Sequence, residues 1–474
     1  MDANPGSGPA WGLFITFGCW AVLALPLAVL AQEGRPADEP AAEALEFQST
    51  ETAVAEERPP VAEQPTVEDE EAGVEEPPQR RGFFEDIWTR DRLTGDWGGR
   101  RTELEDLGFK FNLYINTFYG VNAHGGQDTT NAQRLSGTWD LHIFLDLEKM
   151  GLIPGGELFV WPKGHFSRNV NRKVGALGEP FDDADGDKVV YIDVLQYQQT
   201  LLDKKLRFRF GYLDQQMAFD RNAYANSEDK QFSNTYLDNN NAIVPLPIGL
   251  GAVAFIDPTE WLGFAIGASD GDARIFRTGL DTTFHDSADF FGYFQTEFRP
   301  KIPSKRGDLP GNYRFGLIYD PGDKQEIISS LGGLRRPHFD SGDVGWYVSF
   351  DQLVYREQPE DDQGLGLFFR YGHRQGDVNR MSNFWSAGVQ YQGLIPERGK
   401  DVLGFGLYSV HSSQQYRREI NEALLRETGY ELYYSIYVTP WLQITPDLQY
   451  IARPGALSST DDAFVMGLRA RLTF

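Results

Sequence analysis

The chain has 474 residues, one cysteine and a formal net charge of −25. A single cysteine excludes an intrachain disulfide and any metal or redox site that needs several thiolates. An excess of negative charge this large also leaves no electrostatic basis for binding nucleic acid.

The N-terminal residues form an apolar run from Trp11 to Leu30, followed by the small residue Ala31. This pattern predicts a signal peptide over residues 1–31, with the mature chain starting at Gln32. Because residues 1–10 contain Asp2 and neither Lys nor Arg, an uncleaved anchor helix is the alternative.

Residues 32–82 form an acidic, proline-rich segment that includes the run Glu68-Asp69-Glu70-Glu71 and the pair Pro77-Pro78. Few large apolar side chains are present to offset the loss of chain entropy on folding, so the composition predicts disorder in the periplasm. Two roles stay open: a solvated linker, or a tail that binds a basic partner.

A short helix, Arg101–Leu107, is predicted in the next segment, residues 83–107. Asp96 is placed to cap this helix, because its carboxylate can accept a hydrogen bond from an amide of the first turn. Gly98 and Gly99 permit backbone conformations that are closed to other residues.

Apolar and polar side chains then alternate from residue 108 to the C-terminus. In the final strand Met466 and Leu468 alternate with Arg469 and Arg471. Arginines facing a protein core would be left unpaired, so the polar face should meet water and the apolar face lipid. The pattern predicts an all-β fold, a 16-stranded antiparallel transmembrane β-barrel of the outer-membrane porin type over residues 108–474. Its strands are expected near 108–122, 136–147, 155–166, 188–200, 205–214, 247–257, 260–269, 289–299, 312–320, 343–355, 364–374, 383–393, 402–411, 429–439, 441–450 and 462–474.

Connections between these strands alternate in length, which sorts them onto two sides. Short turns such as 201–204 and 257–259 alternate with long polar stretches such as 167–187 and 215–246. Outer-membrane barrels have short periplasmic turns and longer outer loops, so every long loop is predicted to lie outside. This places the protein in the outer membrane of a Gram-negative-type envelope, in contact with its lipids. A barrel or sandwich with an internal polar network is the alternative.

Two passages carry a resemblance to a known family. One is Arg92-Leu-Thr-Gly-Asp-Trp-Gly-Gly-Arg-Arg-Thr-Glu-Leu104, and the other is the C-terminal region with Thr439-Pro-Trp-Leu442 and Pro446-Asp-Leu-Gln-Tyr450. Both resemble the OprB-type carbohydrate-selective porins, over roughly residues 90–474. The resemblance implies facilitated diffusion of glucose and other sugars through a narrowed lumen, with no cofactor. We interpret Asp96, Trp97, Gly98 and Gly99 as a structural block that plugs or braces the periplasmic mouth, with direct solute contact as the alternative.

Strand alternation also predicts which side chains line the pore. The inward set is Lys110, Asp140, His142, Arg207, Arg209, Arg370, Glu431, Tyr433, Asp447, Arg469 and Arg471. A basic cluster of Lys163, His165 and Arg168 starts a long loop, where the resemblance implies arginines near the constriction. Each of these side chains has a simpler interpretation as a wall charge paired with its cross-strand neighbour. Basic residues outnumber acids in the set, which predicts a preference for neutral or anionic solutes.

Other functional classes are less well supported by the sequence. A general diffusion porin of the same fold is the nearest alternative, followed by a barrel with a blocked lumen and a barrel enzyme. The run from Asp182 to Asp187 departs from a calcium loop because its glycine is misplaced and no glutamate closes it. We therefore predict a porin without enzymatic activity, metal or cofactor, whose partners are carbohydrate solutes and outer-membrane lipids. A homo-oligomer is possible on sequence grounds.

Overall fold

The protein folds as a closed antiparallel β-barrel. The computed structural model describes residues 86–184, 186, 190–240, 244, 248–271, 290–327, 339–359, 361–419 and 426–474. The predicted signal peptide and the whole of the predicted acidic segment lie outside the described residues, as do Asp185 and Asp187 of the Asp182–Asp187 run.

Seventeen strands are present among the described residues. They are β1 (Phe109–Gly126), β2 (Gln133–Asp146), β3 (Gly156–Phe166), β4 (Val190–Leu201), β5 (Leu206–Asp214), β6 (Ile248–Thr259), β7 (Leu262–Asp270), β8 (Phe290–Phe298), β9 (Lys301–Ile302), β10 (Leu309–Gln325), β11 (Phe339–Arg356), β12 (Gly364–Arg374), β13 (Met381–Gln392), β14 (Val402–Ser412), β15 (Arg426–Thr439), β16 (Leu442–Ala452) and β17 (Asp461–Thr473). The two-residue β9 pairs with the start of β10, and the other sixteen form the barrel.

Closure occurs between the first and last strands. β1 pairs with β2 on one side and with β17 on the other, and both ladders are antiparallel. Within β17 the alternation is as predicted: Leu468 on the outer face is 47% exposed, whereas Arg469 on the inner face is 2% exposed. The pairing of β1 with β17 closes the sheet and confirms the predicted 16-stranded barrel. A closed ladder leaves no strand edge to face hydrocarbon.

The connections are sorted onto two ends of the barrel. Tight turns join β4 to β5, β6 to β7 and β15 to β16, and we call their side the turn end. The longest connections join β3 to β4 and β5 to β6 at the other side, the loop end. Both of these connections leave and rejoin the wall at the loop end, as predicted, but the sequence did not indicate that they fold inward. Residues 167–184, inner segment 1, and residues 215–240, inner segment 2, fold back into the barrel and contact its inner wall.

An apolar core lies inside the barrel, between inner segment 2 and the wall. Phe219 stacks on Tyr293 of β8, with ring centroids 5.0 Å apart. Phe232 packs edge-on against Tyr433 of β15 at 5.0 Å, and Leu237 is fully buried. Burying these side chains stabilises inner segment 2 against the wall by roughly 1.5–3 kcal/mol for each large apolar group.

Paired glycines accommodate inner segment 1 at the barrel seam. Gly120 of β1 and Gly467 of β17 are cross-strand partners on the inner face. A Cβ atom added to either glycine would lie 2.6 or 2.8 Å from the ring of Phe181, which is buried against Phe118. The two glycines therefore form the seat of the Phe181 ring.

Filling this seat should loosen inner segment 1. Replacing Gly467 with Ala should destabilise the barrel by about 1–3 kcal/mol, the usual cost of overpacking a filled core. The loss of unfolding free energy caused by Gly467→Ala should be smaller when Phe181 is also replaced by Ala. Urea unfolding in detergent micelles measures the loss in both backgrounds. Gly292→Ala is the matched control, because its added Cβ meets nothing closer than 3.8 Å. Equal losses with and without Phe181 would contradict this assignment.

The segment before β1 contains a helix, α1 (Arg100–Asp106), at the turn end. Residue 99 precedes it with φ at +92°, which requires glycine, and Gly98 has φ at +68°. Asp96 is not the N-cap residue, but its Oδ1 accepts hydrogen bonds from the amide and the hydroxyl of Thr102. Three shorter helices occur among the described residues: α2 (Asn171–Val174), α3 (Thr235–Asp238) and α4 (Gln414–Glu419). Within the described part of the chain, no helix is both long and apolar enough to cross a membrane.

Candidate functional site

The wall residues predicted from strand alternation face inward, but five of them are covered. Arg370, Glu431, Tyr433, Asp447 and Arg469 are each at most 2% exposed. Arg370, Glu431 and Arg469 hydrogen-bond to inner segment 2, and Tyr433 packs against Phe232 of that segment. Tyr433 and Asp447 hydrogen-bond to the wall residues Gln390 and Gln449. All five are buried, so the expectation that they line the open pore is corrected.

Arg370 of β12 holds inner segment 2. Its guanidinium donates hydrogen bonds to the carbonyl oxygens of Leu237 at 3.1 Å and Asp220 at 3.2 Å, and also to that of Ala225. Its Nε lies 3.3 Å from a carboxylate oxygen of Asp220. Because Arg370 is fully buried, one side chain satisfies several backbone groups that water cannot reach.

β15 and β17 also hold inner segment 2. The two carboxylate oxygens of Glu431 accept hydrogen bonds from the amides of Ser233 at 2.6 Å and Asn234 at 3.0 Å. Arg469 donates to the carbonyl oxygen of Gln231 at 3.0 Å. Inner segment 2 is thus fixed by charged side chains of three wall strands, β12, β15 and β17.

Glu427, also on β15, holds inner segment 1, and the sequence analysis missed it. Its carboxylate accepts hydrogen bonds at 2.7 Å from the amides of Leu177, Gly178 and Gly455, and at 2.8 Å from the hydroxyl of Tyr408. It lies four residues before Glu431, so the same alternation that selected Glu431 places it on the inner face. Only its partners, distant in sequence, reveal its role.

A second tether fixes inner segment 1 at the loop end. The Lys173 ammonium pairs with the Asp128 carboxylate in the connection between β1 and β2. This hydrogen bond, supported by the amide of Thr130, lowers the pKa of Asp128 to about 2. The carboxylate is therefore ionised, and the pair persists, over the whole physiological pH range.

A strip of aromatic side chains lines the inner face of β2 and β3. His142 lies against Trp161 with ring centroids 4.4 Å apart, and Phe144 stacks on Phe159 at 4.5 Å. His142 also meets Tyr114 of β1 edge-on at 5.1 Å. Phe144 and Trp161 keep part of their surface exposed. The sequence analysis selected only His142 from this aromatic strip, although strand alternation places the others on the same face.

Charged groups border the aromatic strip on its loop-end side. Lys163 lies 3.7 Å from a carboxylate oxygen of Asp140 and 3.1 Å from one of Asp183 in inner segment 1. Trp161 donates its Nε1–H to Asp140 at 3.0 Å. Of the predicted cluster, His165 is buried and hydrogen-bonded to Tyr191, whereas Arg168 follows β3 and is exposed. Lys163 and His165 therefore share the inner face of β3, whereas Arg168 lies beyond the strand, at the start of inner segment 1.

Alternating charges continue along the inner wall toward the turn end. They form a ladder across β5 to β11 in which Arg299 and Arg314 each lie between two carboxylates. The pairs are Arg207–Asp257 (3.1 Å), Arg299–Asp257 (2.6 Å), Arg299–Glu297 (2.8 Å), Arg314–Glu297 (2.7 Å) and Arg314–Asp351 (2.7 Å). Arg209 is buried beside this ladder and donates to Gln198, while Lys110 is exposed near the start of β1.

The basic excess predicted from the wall residues is not present in the folded lumen. The inner segments bring carboxylates to the basic side chains: Asp183 to Lys163, Asp220 to Arg370 and Asp229 to Arg471. Asp229 lies 2.7 Å from the Arg471 guanidinium, which also covers the Tyr114 ring. A lumen with paired charges and aromatic faces suits neutral polar solutes better than anions.

Comparison with known proteins identifies the family. The profile described as "Carbohydrate-selective porin, OprB family" matches residues 127–474. The chain belongs to the OprB family of carbohydrate-selective porins. It is 26% identical to Porin B of Pseudomonas aeruginosa over 428 residues, which cover 81% of this chain and 91% of that protein.

Solved OprB structures share the fold. The high-pH structure of Pseudomonas putida OprB superposes with a TM-score of 0.73 at 24% identity, covering 82% of this chain and all of that one. The low-pH structure of the same protein gives a TM-score of 0.52 at 21% identity, covering 82% of this chain and 99% of that one.

Membership of this family makes the chain an outer-membrane porin for carbohydrates. The turn end then faces the periplasm and the loop end the exterior, following the general topology of such barrels. Among the described residues, no group of three or more His, Cys, Asp or Glu side chains is arranged to hold a metal ion.

Proposed function

We propose that this OprB porin conducts neutral sugars of glucose size along the aromatic strip of β2 and β3. The observation that supports this is the position of Phe144 and Trp161 on the inner wall, beside the charged group of Asp140 and Lys163. A pyranose ring has one apolar face of C–H groups and a rim of hydroxyls. The strip and its charged border match both features.

The proposed passage is a sequence of weak exchanges. Sugar hydroxyls leave water and exchange hydrogen bonds with Asp140, Lys163 and then the turn-end charge ladder, while the ring slides over aromatic faces. Each contact must be weak enough to break, because conduction fails if a solute binds too tightly. No covalent step is involved, so the protein acts as a channel and not as an enzyme. Its outer apolar face contacts outer-membrane lipid.

Truncating Trp161 tests the pathway. Replacing Trp161 with Ala should weaken glucose block of the ion current by roughly five- to tenfold, because an aromatic contact contributes about 1–1.5 kcal/mol. Single-channel recordings in planar bilayers with increasing glucose measure the change. Phe144→Ala should act in the same direction.

Trp346→Ala is the matched control, because Trp346 packs against Tyr371 on the lipid-facing side of the wall. It removes the same side chain from the opposite face and should leave glucose block unchanged. Unchanged block in the Trp161→Ala channel would show that sugars do not use the strip. Liposome swelling rates that follow solute size alone would instead indicate a general diffusion porin.

A further inference from the structure

The block of Asp96, Trp97, Gly98 and Gly99 lies at the lipid-facing side of the barrel rim. The Trp97 ring packs on Phe111 of β1 with centroids 5.4 Å apart. Phe111 lies two and four residues before Leu113 and Ile115, in the outward register of β1. Trp97 therefore extends the lipid-facing surface of β1 at the turn end, and does not fill the lumen.

The segment that carries Trp97 is anchored under the barrel seam. Arg101, 2% exposed, donates hydrogen bonds at 3.0 Å to the carbonyl oxygens of Phe111 and Phe474, and its guanidinium lies 4.6 Å from the Phe111 ring centroid. Leu93 donates its amide to Thr473 at 2.8 Å. These bonds tie the segment to both β1 and β17, so the position of Trp97 is set by the barrel itself.

Trp97 is held in this position at a conformational cost. Its φ is +54°, a region that costs a non-glycine residue of order 1 kcal/mol or more. Even so, the ring is 48% exposed. Glycines on the C-terminal side, which have open space around them, allow the chain to turn sharply after it. A strained and half-exposed tryptophan is not explained by packing inside the protein.

Other apolar side chains are exposed around the same end of the barrel. They occur at five connections of the turn end: Leu152 between β2 and β3, Leu202 between β4 and β5, Trp261 between β6 and β7, Ile302 between β8 and β10, and Leu394 between β13 and β14. Trp97 and the exposed Leu107 add to this ring beside the β1–β17 seam. Outer-membrane barrels have aromatic side chains at the boundary between hydrocarbon and headgroups, and Trp97 and Trp261 are the aromatic members of this ring.

We propose that Trp97 and its flanking residues form a membrane-interface anchor that docks the N-terminal segment onto the phospholipid headgroup layer at the periplasmic side. The indole suits that layer because it has an apolar ring and an N–H donor that remains hydrated. The anchor holds the segment against the seam from the lipid side, while Arg101 holds it from the protein side.

Depth-dependent quenching tests the anchor. Cys19 is the single cysteine of the chain, so a Cys19→Ser background allows one fluorophore to be attached at Trp97→Cys in the full protein. In phosphatidylcholine vesicles, a lipid nitroxide near the headgroup should quench this probe severalfold more than it quenches a probe at Glu103→Cys, on the exposed face of α1. Aqueous iodide should show the reverse order. A probe at Leu468→Cys provides the reference for direct lipid contact.

The possible results distinguish lipid, water and protein as the neighbour of residue 97. Strong iodide quenching at position 97 without lipid quenching would overturn the proposal. Protection from both quenchers would also overturn it, and would indicate that protein covers the ring. Because the Cys variant loses the Trp97 contact with Phe111, a second measurement keeps Trp97 in place. Brominated lipid should quench more tryptophan emission in the parent protein than in Trp97→Phe, and equal quenching would contradict the anchor.

Discussion

Replacing Glu427 with Gln should release inner segment 1 and enlarge the conducting path. The carboxylate accepts four hydrogen bonds, three of them from backbone amides, and an amide side chain cannot accept them all. Losing one or two charge-assisted bonds costs about 2–4 kcal/mol, enough to populate a state in which the segment leaves the wall. Single-channel conductance should rise and glucose block should weaken together.

The control for this variant is Glu260→Gln, the same change of charge at an exposed turn-end position between β6 and β7. It should leave conductance and block unchanged. In the Glu427→Gln variant, limited proteolysis should cut inner segment 1 near Leu177 and Gly178, whereas the parent protein should resist the protease there. If the Glu427→Gln channel kept its parental conductance and its parental resistance to protease, the assigned role of this glutamate would be wrong.

Replacing Arg370 with Met should lower the free energy of unfolding more than Glu427→Gln does. Met has a similar length, but it leaves the carbonyl oxygens of Asp220, Ala225 and Leu237 and the Asp220 carboxylate without this donor in a buried site. Removing one partner of a buried ion pair costs about 3–5 kcal/mol. Inner segment 2 should dissociate from β12, and the barrel should unfold at lower urea concentration.

A double mutant isolates the ion pair from the backbone hydrogen bonds. Adding Asp220→Asn to Arg370→Met should recover part of the lost stability, because the uncompensated buried charge is removed. Arg100→Met, at an exposed position of α1, is the matched control and should cost little. Strictly additive losses in the double mutant would show that Arg370 and Asp220 do not act as a pair.

The barrel could be predicted because its information is local. Each strand displays its own inner and outer face every second residue, so Leu468 and Arg469 could be assigned without knowing any partner. Strand ends at the turn end agree closely with prediction: β15 ends at Thr439, as expected. At the loop end some strands are longer than predicted, since β1 continues to Gly126 and β11 begins at Phe339, whereas β5 ends at Asp214 as expected. Alternation weakens there because both faces meet water.

The interior could not be predicted, because it depends on contacts between distant residues. Strand alternation gives the direction of Glu431 and Arg469, but not whether water or another segment lies in front of them. Inner segments 1 and 2 carry mixed polar and apolar residues typical of long loops, and no periodicity marks them as lumen-filling. The aromatic strip was not predicted, although strand alternation places Phe144 and Trp161 on the same face as Asp140.

Alternating polarity along each strand was therefore sufficient to establish the fold, the closed ladder, the lipid-facing surface and the cellular envelope in which the chain operates. Which charges meet solute was decided by tertiary structure alone. Leu177 and Glu427, for example, are 250 positions apart in the chain and 2.7 Å apart in space. The physical reason is that a buried backbone amide must find an acceptor. In this lumen the acceptors belong to strands that are distant in the sequence.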